Sequence, residues 1–393
     1  MTRGDSWDKG PHQGLTVVPG IPSGGRGRQL VVAKIGTSSI TDNEGAIVED
    51  AIDRFCGELA ALRAAGHRVV AVTSGAVSAG LPALGLGGAR RPRDAVTLQA
   101  VSAIGQSRLM RVYDRLLEGH GIIGGQVLLA PLDFGVRQQY LHARATLERL
   151  LELGVVPIVN ENDAIADDEI RFGDNDRLAA LVAHLVRADL LVLLTDTPGL
   201  LTADPRMDAE ASLIEEIVEF DHALEARAGS GGSVRGSGGM SSKVAAAKMA
   251  AWSGVRTVIA AAERPNVLLD ALAGSAGVGT VVRARDRRLA ARKLWIAFAV
   301  GSSGTVVVDQ GAREALLARG VSLLPAGVKD VRGDFRAEAA VEIAGPDGAI
   351  LAKGLTRIGS AQLRTVAGRR SADLPDGVSN VVIHRDDLVV VPA

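Results

Sequence analysis

Several function classes are excluded by what this 393-residue chain lacks. Aromatic residues make up only 3% of it, too few to build the stacking platforms that hold single-stranded nucleic acid. A single cysteine, Cys56, rules out an internal disulfide, and its place in a helical apolar pattern fits a reducing cytoplasm. Neither sign of charge prevails: 44 Lys plus Arg stand against 45 Asp plus Glu, so no global field draws nucleic acid or an anionic membrane. No uninterrupted apolar run approaches the ~20 residues that cross a bilayer as a helix. Residues 1–28 are rich in Gly, Pro, Ser and charge and lack the apolar stretch of a secretory signal, so they are expected to form a disordered extension.

What is present is apolar sequence, 47% of the chain, in a length that suggests two domains at ~100–200 residues each. Short apolar runs alternate with helical periodicity. Strands are expected at 30–33, 68–72, 126–129, 155–159, 190–194 and 255–260, with one more near 278–282. Helices are expected between them, at 48–65, 95–117, 138–153, 177–187 and from 240 to 252. This alternation predicts an α/β domain over 29–282, a mainly parallel open sheet covered by helices on both faces. Between Arg283 and Lys293, six basic residues face one Asp, which reads as an exposed basic linker over 283–303. Beyond it, short β runs at 305–309, 339–343, 349–352 and 381–383 spaced by Gly turns, with helices near 312–319 and 361–366, predict a small, mostly β, barrel-like domain over 304–390.

Polar residues cluster where the expected strands end. The run Val155–Val159 opens into Asn160-Glu161-Asn162-Asp163, and a loop then reaches Gly173-Asp174-Asn175-Asp176. Carboxylates crowded at the carbonyl end of a buried strand need cations or donors to offset their repulsion, and lysines, a substrate ammonium or magnesium would serve. Asn, Asp and Gly also make up ordinary surface turns, so this stretch alone leaves both readings open. Lys34-Ile35-Gly36-Thr37 and Thr73-Ser74-Gly75-Ala76 are both strand-to-helix junctions whose glycine admits an anion close to backbone N–H groups. The first lacks Walker A spacing, which excludes that nucleotide loop. Thr195-Asp196 ends another strand and begins a loop suited to a base or ribose. Gly238-Gly239-Met240-Ser241-Ser242-Lys243 opens a helix with a lysine in its first turn, against the helix dipole, a conflict that an anion would remove.

Taken in order, these motifs resemble the glutamate 5-kinases of the amino acid kinase family. Asp309-Gln310-Gly311, Pro325-Ala326-Gly327 and His384-Arg385-Asp386-Asp387 resemble the PUA domain carried by bacterial members. The resemblance spans about residues 29–390 and implies ATP-dependent phosphorylation of the L-glutamate γ-carboxylate, the first step toward proline. It implies catalytic roles for Lys34, Lys243 and Asp176, with the aspartate organising the two lysines. Ser74, Gly75, Asn160, Asn162, Asp163 and Asn175 are implied to bind glutamate. ATP is implied to meet Lys34, Gly36, Thr195 and Asp196, together with Ser237, Gly238, Gly239, Met240, Ser241, Ser242 and Lys243. Magnesium would ride on the nucleotide phosphates. A homo-oligomer (dimer or tetramer) and inhibition by proline are further implications, with residues 80–93 and the following helix as candidate elements. Acetylglutamate kinase and other amino acid kinases share the fold and the lysines. RNA binding through the second domain is the alternative of a different class, and the 11 Lys plus Arg against 11 Asp plus Glu from Gly304 to Ala393 disfavour it.

Overall fold

A computed structural model describes residues 27–390 other than 43, 87–90, 166–174, 204–207, 209, 221–238, 287 and 376. Most of the extension expected at residues 1–28, together with Asp174, Ser237 and Gly238, therefore lies outside the described residues.

The first sheet has eight strands, β1 (Leu30–Ile35), β2 (Arg68–Val72), β3 (Gly124–Leu129), β4 (Val156–Glu161), β5 (Leu190–Thr195), β6 (Glu216–Ile217), β7 (Arg256–Ala261) and β8 (Thr280–Val282). They lie in the order β3-β4-β2-β1-β5-β7-β8-β6. Every recorded pairing is parallel except β7 with β8, so the sheet is mainly parallel as its alternating sequence requires. The two-residue β6 carries too little pattern to be seen in the sequence.

Side-chain alternation decides which face each strand residue serves. On β1, Val31, Ala33 and Ile35 pack into one core with Ile52, Phe55, Leu59 and Leu62 of α2 (Glu49–Ala64), whose spacing is that of one helical face. Val32 enters the opposite core, with α7 (Asn175–Leu185) and α8 (Met240–Trp252). Lys34 shares the parity of Val32 and so turns toward these two helices. The remaining helices of this region are α1 (Thr37–Ile40), α3 (Ala76–Gly80), α4 (Ala95–Gly119), α5 (Leu132–Gly135), α6 (Arg137–Glu152) and α9 (Val267–Ala273).

The second sheet runs β10-β9-β11-β12-β13, from β9 (Thr305–Val308), β10 (Val328–Arg332), β11 (Ala340–Ala344), β12 (Ile350–Thr356) and β13 (Ile383–Val390). The last strand differs from the expected run Val381–Ile383. It continues through the polar residues 385–387 because Leu388–Val390 complete an antiparallel ladder with Gly354–Ala352 of β12, past an irregularity in the pairing. The basic segment 283–303 is likewise more than an exposed connection. It contains α10 (Ala291–Leu294) and a π-helical turn at Trp295–Ala299, and Leu294, Trp295 and Ile296 are buried in the core that holds α7 and α8. Ala340, Leu355 and Val389 of the second sheet join that core, Trp295 Nε1 donates to the Pro131 carbonyl, and Arg292 pairs with Asp387. Among the described residues, no helix is long and apolar enough to cross a membrane.

A close crossing positions the site. A Cβ on Gly105 of α4 would overlap the Ala76 carbonyl oxygen of α3, and one on Gly80 of α3 would overlap the Val101 carbonyl oxygen of α4. Only glycine lets these backbones meet. Gly105→Ala is therefore expected to lower stability by about 1–3 kcal/mol, read as a reduced urea midpoint with an unchanged m-value. An unchanged midpoint would mean that α3 and α4 have room to separate.

Candidate active site

The carbonyl ends of β1, β2, β4 and β5 converge on one edge of the first sheet, and parallel registers align them. Lys34 pairs with Val72 on one side and Leu193 on the other, so Gly36 and Thr195 leave the sheet at one level. Thr73 N donates to the Val159 carbonyl at 2.9 Å, which brings the ends of β2 and β4 together.

Three charged side chains from three separate elements meet there. Lys34 Nζ lies 2.5 Å from Asp176 Oδ1 in a close ion pair, while Lys243 Nζ donates to Oδ2 at 3.1 Å. Ser242 Oγ donates to Oδ2 at 3.0 Å and to the Gly239 carbonyl at 2.8 Å. All three charged groups are buried, with exposures of 3% for Lys34, 0% for Asp176 and 5% for Lys243. Burial by itself would raise the Asp176 carboxyl, but Lys34 and Lys243 override it and hold the group down at about 2. The result is one buried carboxylate shared by two lysine side chains. The lysine in the first turn of α8, opposed to the helix dipole, is thus partly answered by an internal carboxylate.

Beside the triad, amide side chains interlock. Asn175, at the start of α7, donates through Nδ2 to the Asn160 Oδ1 at 2.6 Å and to the Thr73 carbonyl at 2.5 Å. Asn160 Oδ1 also accepts from Glu161 N at 2.9 Å, and its Nδ2 donates to Gln106 Oε1 at 2.7 Å. Asp163 accepts from Ser102 Oγ at 2.7 Å. Asn162 adjoins these residues, and its backbone N–H donates to the Leu129 carbonyl. Gly75 has φ +95°, left-handed backbone that glycine adopts without strain, and it starts α3 directly after Ser74. Gly36 lies against Lys34, where an added Cβ would sit 3.6 Å from Nζ. Thr195 Oγ1 donates to Asp196 Oδ1 at 3.0 Å, and Gly239, Met240 and Ser241 form the entry to α8.

The expected residues Lys34, Asp176, Lys243 and Ser242 therefore touch, and Asn160 and Asn175 bond to each other. Ser102, Gln106 and Tyr113 of α4 were not expected. Tyr113 OH lies 2.8 Å from Thr73 Oγ1, and burial raises its hydroxyl pKa, so it stays protonated. Their signal in the sequence is polar side chains within the buried stripe Val101, Ser102, Gly105, Gln106, Leu109 of an amphipathic helix.

The amino acid kinase family matches residues 29–261, and the PUA domain matches residues 304–378. The chain belongs to the amino acid kinase family, here followed by a PUA domain. It is 46% identical over 365 residues to glutamate 5-kinase of Burkholderia multivorans, covering 92% of this chain and 97% of that protein. Glutamate 5-kinase of Pelobacter propionicus is 44% identical over the same length, again covering 92% of this chain and 97% of that protein. Within the family the chain thus groups with the glutamate 5-kinases.

Gln106 Oε1 is the acceptor for the Asn160 amide nitrogen among the described residues. Gln106→Leu is expected to cost about 1–3 kcal/mol by leaving that buried donor unsatisfied, whereas Gln106→Glu keeps an acceptor and should lose less. Urea unfolding of both variants checks this; equal losses would show that packing, not the hydrogen bond, is what Gln106 contributes.

Proposed function

We propose that this chain transfers the γ-phosphoryl group of ATP to the γ-carboxylate of L-glutamate, releasing ADP and L-glutamyl 5-phosphate, the first step toward proline. The observation that carries this reading is the buried Lys34–Asp176–Lys243 cluster at the sheet edge, in a chain that aligns with glutamate 5-kinases over nearly their whole length. A glutamate carboxylate is already ionised at neutral pH, so it attacks phosphorus without a general base. Asp176 suits that chemistry: a carboxyl held near 2 is a poor base and a good organiser of cations. Lys34 and Lys243 supply positive charge for the equatorial and bridging oxygens as the bond to ADP breaks. Backbone N–H groups after Gly36, Gly75 and Gly239 add uncharged donors.

Asn160, Asn162, Asp163, Asn175, Ser74 and Gly75 are assigned to glutamate, with the Asp163 carboxylate suited to its ammonium. Thr195, Asp196 and the 237–243 segment are assigned to the nucleotide. With both Asp176 oxygens taken up by cations, the donor set fits magnesium carried on the ATP phosphates, where it would neutralise charge on the β and γ groups. The kinase domain is assigned to 29–282 and the PUA domain to 304–390. We further infer a cytoplasmic homo-oligomer inhibited by proline at the glutamate pocket. Leu84 and Val96 are exposed apolar side chains on the segment assigned to assembly and regulation.

The test is turnover with ATP and magnesium in the presence of L-glutamate, N-acetylglutamate, aspartate or UMP, trapping any acyl phosphate with hydroxylamine. The expected outcome is a hydroxamate from glutamate alone, with Lys243→Ala slowed by about 10²–10³-fold. Hydroxamate from N-acetylglutamate or aspartate instead, or turnover with UMP, would keep the fold and reject the substrate.

A further inference from the structure

The kinase and PUA domains meet around a cavity of about 380 Å³. Arg177, Met249, Phe298, Ser302, Glu342 and Lys353 line it. Arg177 follows Asp176 in α7 and Met249 lies beyond Lys243 in α8, so the helices that carry the charged cluster also form one wall. The other wall is the second sheet, where Glu342 of β11 and Lys353 of β12 are direct cross-strand partners.

Charge is unbalanced in this space. Two cations face it from two domains with one carboxylate between them. Neither Arg177 nor Lys353 makes an ion pair among the described residues, and Lys353 Nζ is directed to the Val300 carbonyl. Burial pushes the Lys353 ammonium down to about 8, with Glu342 raising it and Arg177 lowering it further. Two cations at one half-buried space favour a shared counter-anion. A guanidinium fork suits a planar or tetrahedral oxyanion, and an ammonium adds a point charge. Met249 and Phe298 supply the apolar surface that small-molecule sites combine with a few convergent polar groups, and the volume lies in their ~300–1,000 Å³ range.

We propose that this interdomain cavity binds a small oxyanion, a phosphate or a compact carboxylate, between Arg177 and Lys353. The site is separate from the substrate site and does not depend on which acceptor the kinase uses.

Phe298 provides a local reporter, because its ring meets Trp252 edge-on at 5.7 Å between centroids. The experiment titrates the full chain with inorganic phosphate in one arm and succinate in the other, following tryptophan emission and Tm. A saturable emission change and a rise in Tm are expected in at least one arm, by preferential binding to the folded state. Half-saturation should be unchanged by saturating magnesium-ATP, which occupies the kinase site, and at least ~10-fold weaker in Lys353→Met and in Ser302→Glu, which places a carboxylate at the exposed rim. The arm that saturates at lower concentration identifies the anion class. No saturable change in either arm, unchanged half-saturation in Ser302→Glu, or loss of the response in the presence of saturating magnesium-ATP would overturn the proposal, the last by assigning the response to the kinase site.

Discussion

A carboxylate shared by two lysines in a buried site is the constraint on which the rest of this structure depends. Asp176, Lys34 and Lys243 come from a helix, a strand and a second helix, so their meeting fixes the packing of α7 and α8 against β1. Removing one partner from such a buried arrangement costs ~3–5 kcal/mol, because a charge is left without compensation. The arrangement is also poised for work. The carboxylate holds two lysine side chains in place in a water-poor space. There, fixed charges stabilise a phosphoryl transition state without first having to reorganise.

The scaffold around the cluster is built from close approaches. Glycine at positions 80 and 105 lets α4 press against α3, and α4 then reaches the sheet edge with Ser102, Gln106 and Tyr113. These side chains hold Asp163, Asn160 and Thr73, so one helix braces residues from two strand ends. On the opposite side, Trp295 and Ile296 wedge the interdomain segment into the core of α7 and α8, and the second sheet follows them. The PUA domain thereby shares a core with the helices that carry the catalytic candidates, through the Trp295–Ala299 turn.

Much of this was legible in the sequence, for identifiable reasons. Buried parallel strands are nearly continuous apolar runs, so the strands at 30, 68, 156, 190 and 256 announce themselves, and alternation along β1 sends Lys34 toward α7. Asp176 stands out as one of several crowded carboxylates and Lys243 as a cation set against a helix dipole, each calling for an opposite charge. Gln106 and Ser102 are harder to read: each meets its partner across a gap of 54 or 61 residues, and the local signal, a polar side chain in the apolar stripe of α4, does not say which partner that is. The packed part of the 283–303 segment is masked by its own arginines, which sit beside the buried Leu294–Ile296 and obscure them. β13 was shortened for a similar reason, since polar residues 385–387 interrupt a strand that is completed only by pairing with β12.

The most direct test of the central claim is a single-turnover measurement of phosphoryl transfer from ATP to glutamate by rapid quench, comparing the wild-type chain with Asp176→Asn. If Asp176 aligns Lys34 and Lys243 by its charge, the amide keeps the shape but loses the ion pairs. The transfer step should then slow by about 10²-fold or more while the protein stays folded. A folded Asp176→Asn chain that transfers phosphate at close to the wild-type rate would contradict the account, because the lysines would then need no carboxylate between them.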